Sequence, residues 1–234
     1  DFQAFCDDNR GWLDDHALFT ALKGHYHGRA WNHWPRQIRD RTPAALREAR
    51  AKFAEAISRE KFLQFVFYRQ WKTLKNYGNN LGIEVIGDLP IYVHYDSADV
   101  WQHPEYFMLG RNKRPAFVAG VPPDYFSKTG QLWGNPLYRW DVLRKSRYRW
   151  WVERIVHNLG RFDRVRIDHF RGFVAFWQVS SGARTAVRGK WVKAPAEDFF
   201  RTILKRVPRE GLIAEDLGFI TPDVTQVLGK IGLP

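Results

Sequence analysis

Three short apolar segments, each following a helical stretch and each running into an acidic residue, constrain the fold more than any other sequence feature. We predict strands at residues 83–86, 164–168 and 212–215. Helices are predicted over about 43–77, 141–158 and 195–207, and the Thr-Pro pairs at 42–43 and 221–222 mark helix starts. This alternation favours an α/β fold with a parallel sheet, either open and doubly wound or closed into a barrel. No G-x-G-x-x-G or Walker pattern follows a strand, which disfavours nucleotide binding.

The acids at the strand ends are Asp88, Asp168 and Glu215. A single acid in this position is often a cap for the next turn. Three acids after three strands are a stronger signal, because the C-terminal strand ends of a parallel barrel surround its active site. The two long aromatic-rich segments at 89–136 and 173–194, predicted as loops, follow the same strand ends.

The second and third strands place different neighbours beside their acids. Arg166 shares a strand face with Asp168 and would keep this carboxylate ionised, as a nucleophile requires, although a structural ion pair gives the same pattern. Glu215 has no cation two residues before it, and apolar neighbours such as Leu217 would raise its pKa toward that of a proton donor. An ionised nucleophile and a protonated partner roughly 5–5.5 Å apart are the retaining glycosidase arrangement.

Composition leaves two classes of partner open. The net charge of +12 and the 16% aromatic content suit either a nucleic-acid binder or a sugar binder. The most basic stretch, residues 139–154, spreads its cations around a helix, which is typical of a solvated face. The single Cys6 excludes a disulfide framework, the pair His25 and His27 lacks further metal ligands, and no apolar run reaches the ~18 residues of a membrane span.

Several long segments carry a resemblance to a known family. They are WLDDHALFTALK, GDLPIYV, AGVPPDYFSKTGQLWGNPLYRWD, VRIDHFRGF, TAVRGKWVKAP and LIAEDLGFITP. Together they resemble the amylomaltases, the disproportionating 4-α-glucanotransferases of glycoside hydrolase family 77. The resemblance implies that residues 1–234 are the central part of a (β/α)8 TIM barrel with helical and loop insertions, and thus a partial catalytic barrel domain.

The resemblance also implies roles for individual residues. Asp168 would be the nucleophile and Glu215 the general acid and base. The implied substrate-binding residues are Asp88, Arg166 and His169 at the donor subsite, Asp124, Tyr125 and Phe126 in a flap over the cleft, and Gln131 and Trp133 as further sugar contacts. The family needs no metal and no organic cofactor, and it acts on maltooligosaccharides and on α-1,4-glucans derived from starch or glycogen. Nucleic acid and membrane are not expected partners, and the expected location is the cytoplasm, or a plastid in a plant.

The sequence departs from the family pattern in three places. The His-Asp-Asn segment that carries the family's third carboxylate is absent, as is the portion with the first barrel strand. We therefore expect a fragment that is inactive by itself. His94 stands where a smaller residue is usual, and no role is assigned to it. An α-amylase-group hydrolase, a basic nucleic-acid-binding protein and an inactive sugar-binding relative of the enzyme remain as alternatives.

Overall fold

A computed structural model describes residues 1–218 and 220–234. The helices are α1 (Phe2–Asp8), α2 (Arg10–His25), α3 (Arg36–Arg39), α4 (Pro43–Lys52), α5 (Ala54–Asn80), α6 (Ala98–Gln102), α7 (Trp140–Lys145), α8 (Arg149–Leu159), α9 (Arg171–Val174), α10 (Ala196–Ile203) and α11 (Pro222–Ile231). The strands are β1 (Ile86–Leu89), β2 (Phe117–Val121), β3 (Gln131–Pro136), β4 (Arg164–Ile167), β5 (Ala175–Ser180), β6 (Gly189–Lys193) and β7 (Leu212–Ala214). Helices and strands alternate in an α/β fold.

The three strands predicted from the sequence are parallel neighbours in one sheet, in the order β1-β4-β7. This expectation is confirmed. The sheet has one buried face, to which β4 contributes Val165 and Ile167, both at most 1% exposed. Helix α8 packs against β1 and β4. The opposite face carries the polar residues of the same strands, because side chains alternate along a strand.

The first strand lies three residues later than predicted. Residues 83–86 are mostly exposed, and pairing with β4 runs from Ile86 to Leu89. Asp163 explains the shift, because its carboxylate accepts a hydrogen bond from the Val85 backbone N–H (2.8 Å) and forms an ion pair with Lys75 at the end of α5. These bonds hold the pKa of Asp163 down at about 2. They also fix Val85 beside Asp163, so that pairing between β1 and β4 begins at the next residue, Ile86.

Two of the predicted helices are each divided in two. The 43–77 stretch is interrupted at Phe53, between α4 and α5. The 141–158 stretch divides into α7 and α8, because Arg147 and Tyr148 adopt left-handed backbone conformations (φ 52° and 53°). The turn buries the Tyr148 ring, whose hydroxyl donates to Asp198 at 2.8 Å. Burial of this ring compensates for the backbone strain.

A second sheet occupies the stretches that were predicted as loops. Its strands run antiparallel in the order β3-β2-β5-β6. Strand β2 contains Gly120, where an added Cβ would lie 2.4 Å from the Gln131 carbonyl oxygen. The glycine therefore permits a close backbone approach, but it also weakens the alternation that would have identified β2 from the sequence.

Many large aromatic side chains are in the core and are unavailable to any ligand. Fully buried rings fill the space between the sheets and helices, namely Trp31, Trp101, Trp151, Tyr138, Tyr148, Phe107, Phe170, Phe173, Phe176, Phe199 and Phe200. A large part of the aromatic content thus serves packing. Among the described residues, no helix is both long enough and apolar enough to cross a membrane.

The close packing at Gly87 makes a testable prediction for the sheet. A Cβ added at Gly87 would lie 2.2 Å from the Phe162 ring, so Gly87→Ala must displace this ring or the strand. We expect a loss of about 1–3 kcal/mol in the free energy of unfolding, as in overpacked cores. Gly11→Ala is the control, because nothing lies within 4 Å of its Cβ position in α2. Equal denaturant midpoints for the two variants would contradict the packing argument.

Candidate active site

One guanidinium group connects all three acids at the strand ends. Arg166 donates to Asp88 through Nε (2.8 Å) and Nη2 (3.0 Å), and it reaches Asp168 Oδ1 at 3.2 Å and Glu215 Oε1 at 2.9 Å. The strand register produces this arrangement, since Asp88 pairs with Arg166 across the β1–β4 ladder. The hydrogen bonds to Asp88 and Glu215 raise the pKa of Arg166 above its ordinary value.

Asp168 directly follows β4, and its backbone N–H donates to the Leu89 carbonyl oxygen at 3.1 Å. Burial raises the pKa of Asp168, the negative charges of Glu215 and Asp88 raise it further, and Arg166 acts in the opposite direction. Arg166 therefore favours the ionised form of Asp168, as expected from the sequence, but burial and the two neighbouring carboxylates outweigh it and leave the pKa raised. The reason is that Arg166 makes its bidentate contact with Asp88 and reaches Asp168 with only one longer bond.

Glu215 directly follows β7 and has a cation beside it. Its backbone N–H donates to Ile167 (3.0 Å), its Oε1 pairs with Arg166, and its Oε2 accepts the backbone N–H of His169. The sequence places no cation two residues before Glu215, and the cation beside it comes instead from the adjacent strand. Asp168 and Glu215 both contact the Arg166 guanidinium, so the two carboxyl groups lie on the same face of the sheet.

His169 has an unusual backbone that serves this arrangement. Its φ of 49° is left-handed, which is uncommon for a residue other than glycine, and in this conformation its N–H reaches Glu215. Burial lowers the pKa of the imidazole to about 4, so the ring is neutral at neutral pH. A Cβ at Gly172 would lie 3.0 Å from the His169 ring, and glycine is thus needed there.

The aromatic wall beside His169 comes from the second sheet. The Trp133 ring of β3 meets the His169 ring edge to face, with centroids 4.8 Å apart. Trp133 Nε1 donates to Gln131 Oε1 at 3.0 Å, and Tyr92 packs behind the indole with its centroid 6.1 Å away. The structure thus brings Gln131 and Trp133 to the acids. Tyr92 was missed by the sequence interpretation, although it lies within the GDLPIYV segment.

The predicted flap residues lie on the loop that joins β2 to β3. Asp124 accepts hydrogen bonds from the backbone N–H groups of Phe126 (2.9 Å) and Ser127 (2.7 Å), so its carboxylate shapes the loop. The Tyr125 and Phe126 rings are 96% and 92% exposed and meet edge to face. Over residues 1–218 and 220–234, no hydrogen bond, ion pair or ring contact joins these three residues to Arg166 or to the acids that it binds.

The histidine pair in the sequence does not form a metal site. His25 packs against the rings of Tyr26 and Phe53 at the end of α2. In the part of the chain that the structure describes, no group of three or more His, Cys, Asp and Glu side chains is arranged to hold a metal ion.

Comparison with known sequences decides the family of this site. A family model described as 4-alpha-glucanotransferase matches residues 1–234. The chain belongs to glycoside hydrolase family 77. The site described above, with its three acids, Arg166 and Trp133, therefore lies in a member of this family.

Individual relatives agree with this assignment. The 4-alpha-glucanotransferase of Thermus thermophilus is 51% identical over 233 residues, covering 100% of this chain and 47% of that protein. The chloroplastic/amyloplastic 4-alpha-glucanotransferase of Solanum tuberosum is 45% identical over 223 residues, with 95% and 39% covered. An amylomaltase from Streptococcus agalactiae, solved in complex with acarbose, superposes with a TM-score of 0.95 at 41% identity, covering 100% of this chain and 47% of that one. The chain spans about half the length of these bacterial relatives.

The two aspartates with opposite pKa shifts predict opposite effects of the same substitution. The pKa of Asp168 is raised, so its charge costs stability at neutral pH and Asp168→Asn should raise the melting temperature by roughly 1–3 °C. The pKa of Asp163 is lowered to about 2, so Asp163→Asn should cost about 1–2 kcal/mol.

Thermal melts from pH 7 down to pH 3 test both signs. The gain from Asp168→Asn should vanish as the pH falls and the wild-type carboxyl takes up its proton. The loss from Asp163→Asn should begin to shrink only below about pH 4, because there the carboxyl takes up a proton in the unfolded chain while the native group, with its pKa of about 2, keeps its charge. A destabilised Asp168→Asn variant at pH 7 would show that Arg166 dominates the site electrostatics.

Proposed function

We propose that the protein containing this chain is a 4-α-glucanotransferase that moves α-1,4-glucan segments between maltooligosaccharides with retention of configuration. The observation that carries the proposal is the pair Asp168 and Glu215, held side by side on Arg166 at the ends of adjacent parallel strands. The names of the family 77 relatives support the activity, and the acarbose complex of the Streptococcus agalactiae amylomaltase supports a glucan ligand.

The proposed reaction has two displacements. In the first, a carboxylate oxygen of Asp168 bonds to the sugar C1 as the glycosidic C1–O bond breaks, and Glu215 gives its proton to the departing O4. In the second, the 4-hydroxyl of an acceptor sugar attacks C1, its proton returns to Glu215, and the Asp168 carboxylate leaves. The cycle needs one proton on the two carboxyl groups, and the reaction requires it on Glu215.

The donor sugar would be held by the groups around this pair. Asp88 and Arg166 offer charged hydrogen-bond partners for sugar hydroxyls, and the neutral His169 imidazole can donate or accept one more. The half-exposed Trp133 indole offers an apolar face to a pyranose ring, with Gln131 at its edge. No metal or organic cofactor has a part in this scheme.

The flap would decide between transfer and hydrolysis. Tyr125 and Phe126 project almost fully exposed rings from a loop that Asp124 braces. Rings in this position can stack on an acceptor glucan and keep water from the glycosyl ester. An α-amylase-group hydrolase would share the acids and lack this function of the flap.

We also propose that residues 1–234 form part of a catalytic (β/α)8 barrel, because three consecutive parallel strands carry the acids at one edge. A cytoplasmic location, or a plastid in a plant, is part of the same proposal. Nucleic-acid binding is disfavoured, because cations of the basic 139–154 stretch have partners within the fold: Arg144 with Asp198, Arg149 with Glu153, and Arg154 with the Pro90 carbonyl oxygen.

Asp168→Asn tests the nucleophile in the full-length protein. The amide cannot form the glycosyl ester, so we expect at least a thousandfold loss of turnover on maltotriose, about 4 kcal/mol of barrier, with a folded protein. The assay separates oligosaccharides longer and shorter than maltotriose. Turnover above about a tenth of the wild-type value would place the nucleophile elsewhere.

Phe126→Ala tests the flap. Transfer conserves the number of reducing ends, whereas hydrolysis adds one for each bond cleaved, so the ratio of new reducing ends to products longer than maltotriose measures the partition. We expect this ratio to rise about threefold to tenfold, since loss of one ring contact weakens acceptor binding by about 1 kcal/mol. Lys128→Ala in the same loop is the control and should leave the ratio unchanged. An unchanged ratio for Phe126→Ala would remove the flap from acceptor binding.

A further inference from the structure

Arg171 is a buried cation that lies three residues after Asp168 in the chain. It is the first residue of α9, two residues after His169, and its side chain is only 6% exposed. A charged group is costly to bury unless its partners replace the lost water. The partners of Arg171 therefore indicate what this charge is retained for.

The guanidinium of Arg171 connects three parts of the fold. Its Nη1 donates to Thr221 Oγ1 at 2.9 Å and lies 3.4 Å from Asp223 Oδ2. Its Cζ lies 4.2 Å from the centroid of the Trp191 ring on β6. Thr221 is the N-cap residue of α11, and it also hydrogen-bonds Asp223 in the first helical turn. Arg171 thus holds the start of α11 against the segment that follows Asp168.

The segment between β7 and α11 is the one that carries Glu215. Residues 216–218 are exposed, so they have little packing to hold them. At the front of the segment, the Glu215 side chain is bound by Arg166 and by the His169 N–H. At its other end, Thr221 is bound by Arg171. Both anchors therefore belong to the chain that surrounds Asp168.

We propose that Arg171 is a positioning residue for the transfer reaction: by fixing Thr221 and Asp223, it sets where Glu215 stands relative to Asp168. Its contact with Trp191 extends this control to the antiparallel sheet that carries Trp133. Within residues 1–218 and 220–234, no hydrogen bond or ion pair joins Arg171 to Asp168 or Glu215, and on this proposal Arg171 does not bind the sugar. The inference rests on the proposed function, since it needs Glu215 to be the acid and base.

A donor that needs no acid separates this role from a general loss of structure. Fluoride leaves α-maltosyl fluoride with little need for a proton, and azide attacks the glycosyl ester without a base, so this reaction depends on Asp168 but much less on Glu215. Maltotriose disproportionation depends on both. Misplacement of Glu215 should therefore slow the second reaction far more than the first.

The experiment compares Arg171→Lys and Thr221→Val in the full-length protein. Arg171→Lys keeps the charge and loses the planar group that spans Thr221, Asp223 and Trp191, while Thr221→Val removes one acceptor and leaves Arg171 in place. For both we expect kcat on maltotriose to fall about 10- to 100-fold with KM changed less than threefold, as for a misplaced catalytic group. Formation of maltosyl azide from the fluoride should fall less than threefold.

The controls make each outcome decisive. Arg201→Lys, an exposed cation on α10, should change neither reaction. Equal losses on both donors would overturn the positioning role and show a structural one, and so would full maltotriose activity in both variants. If the wild-type protein processes neither donor, the proposed function itself fails. Thr221→Val keeps the test valid should Arg171→Lys not fold.

Discussion

The contact of one guanidinium with three carboxylates is the constraint on which the site depends. Asp88, Asp168 and Glu215 stand at the ends of three neighbouring strands, and their charges would repel one another without Arg166. The cation can serve all three only because β4 is the central strand and its register sets Arg166 opposite Asp88. The strand order of the sheet therefore determines which charged groups meet in the site.

Arg166 compensates this cluster incompletely, and on the proposed function the imbalance has a chemical use. Most of its hydrogen bonding goes to Asp88, while burial and like charge raise the pKa of Asp168. A carboxylate that is poorly satisfied in the empty site gains most when it bonds to an electrophilic carbon. Asp163, just before the start of β4, is the opposite case, because an ion pair and a backbone N–H satisfy it and it anchors the start of β1.

Local patterns predicted what depends on neighbours in the sequence. The alternation of side chains along a strand placed Arg166 and Asp168 on one face of β4 and left Val165 and Ile167 in the core. The Thr221-Pro222 pair marked the start of α11. Contacts between distant segments were beyond such reasoning. Asp163 moved the start of β1, the Tyr148 ring divided a helix, and the cation beside Glu215 came from the next strand. The antiparallel sheet was missed because β2 contains a glycine needed for close approach and pairs with the distant β5.

The turn after β4 connects the parallel sheet to the antiparallel sheet beside the acids. Its first residues are Asp168 and His169, and the left-handed backbone of His169 turns the N–H toward Glu215 while the ring meets Trp133. The turn then enters α9, which leads directly into β5 of the antiparallel sheet. The parallel sheet thus holds the acids and the antiparallel sheet holds the aromatic surface, and a short rigid segment fixes the distance between them. A change in this segment must move the aromatic surface relative to the acids, so its geometry is under tighter constraint than either sheet alone.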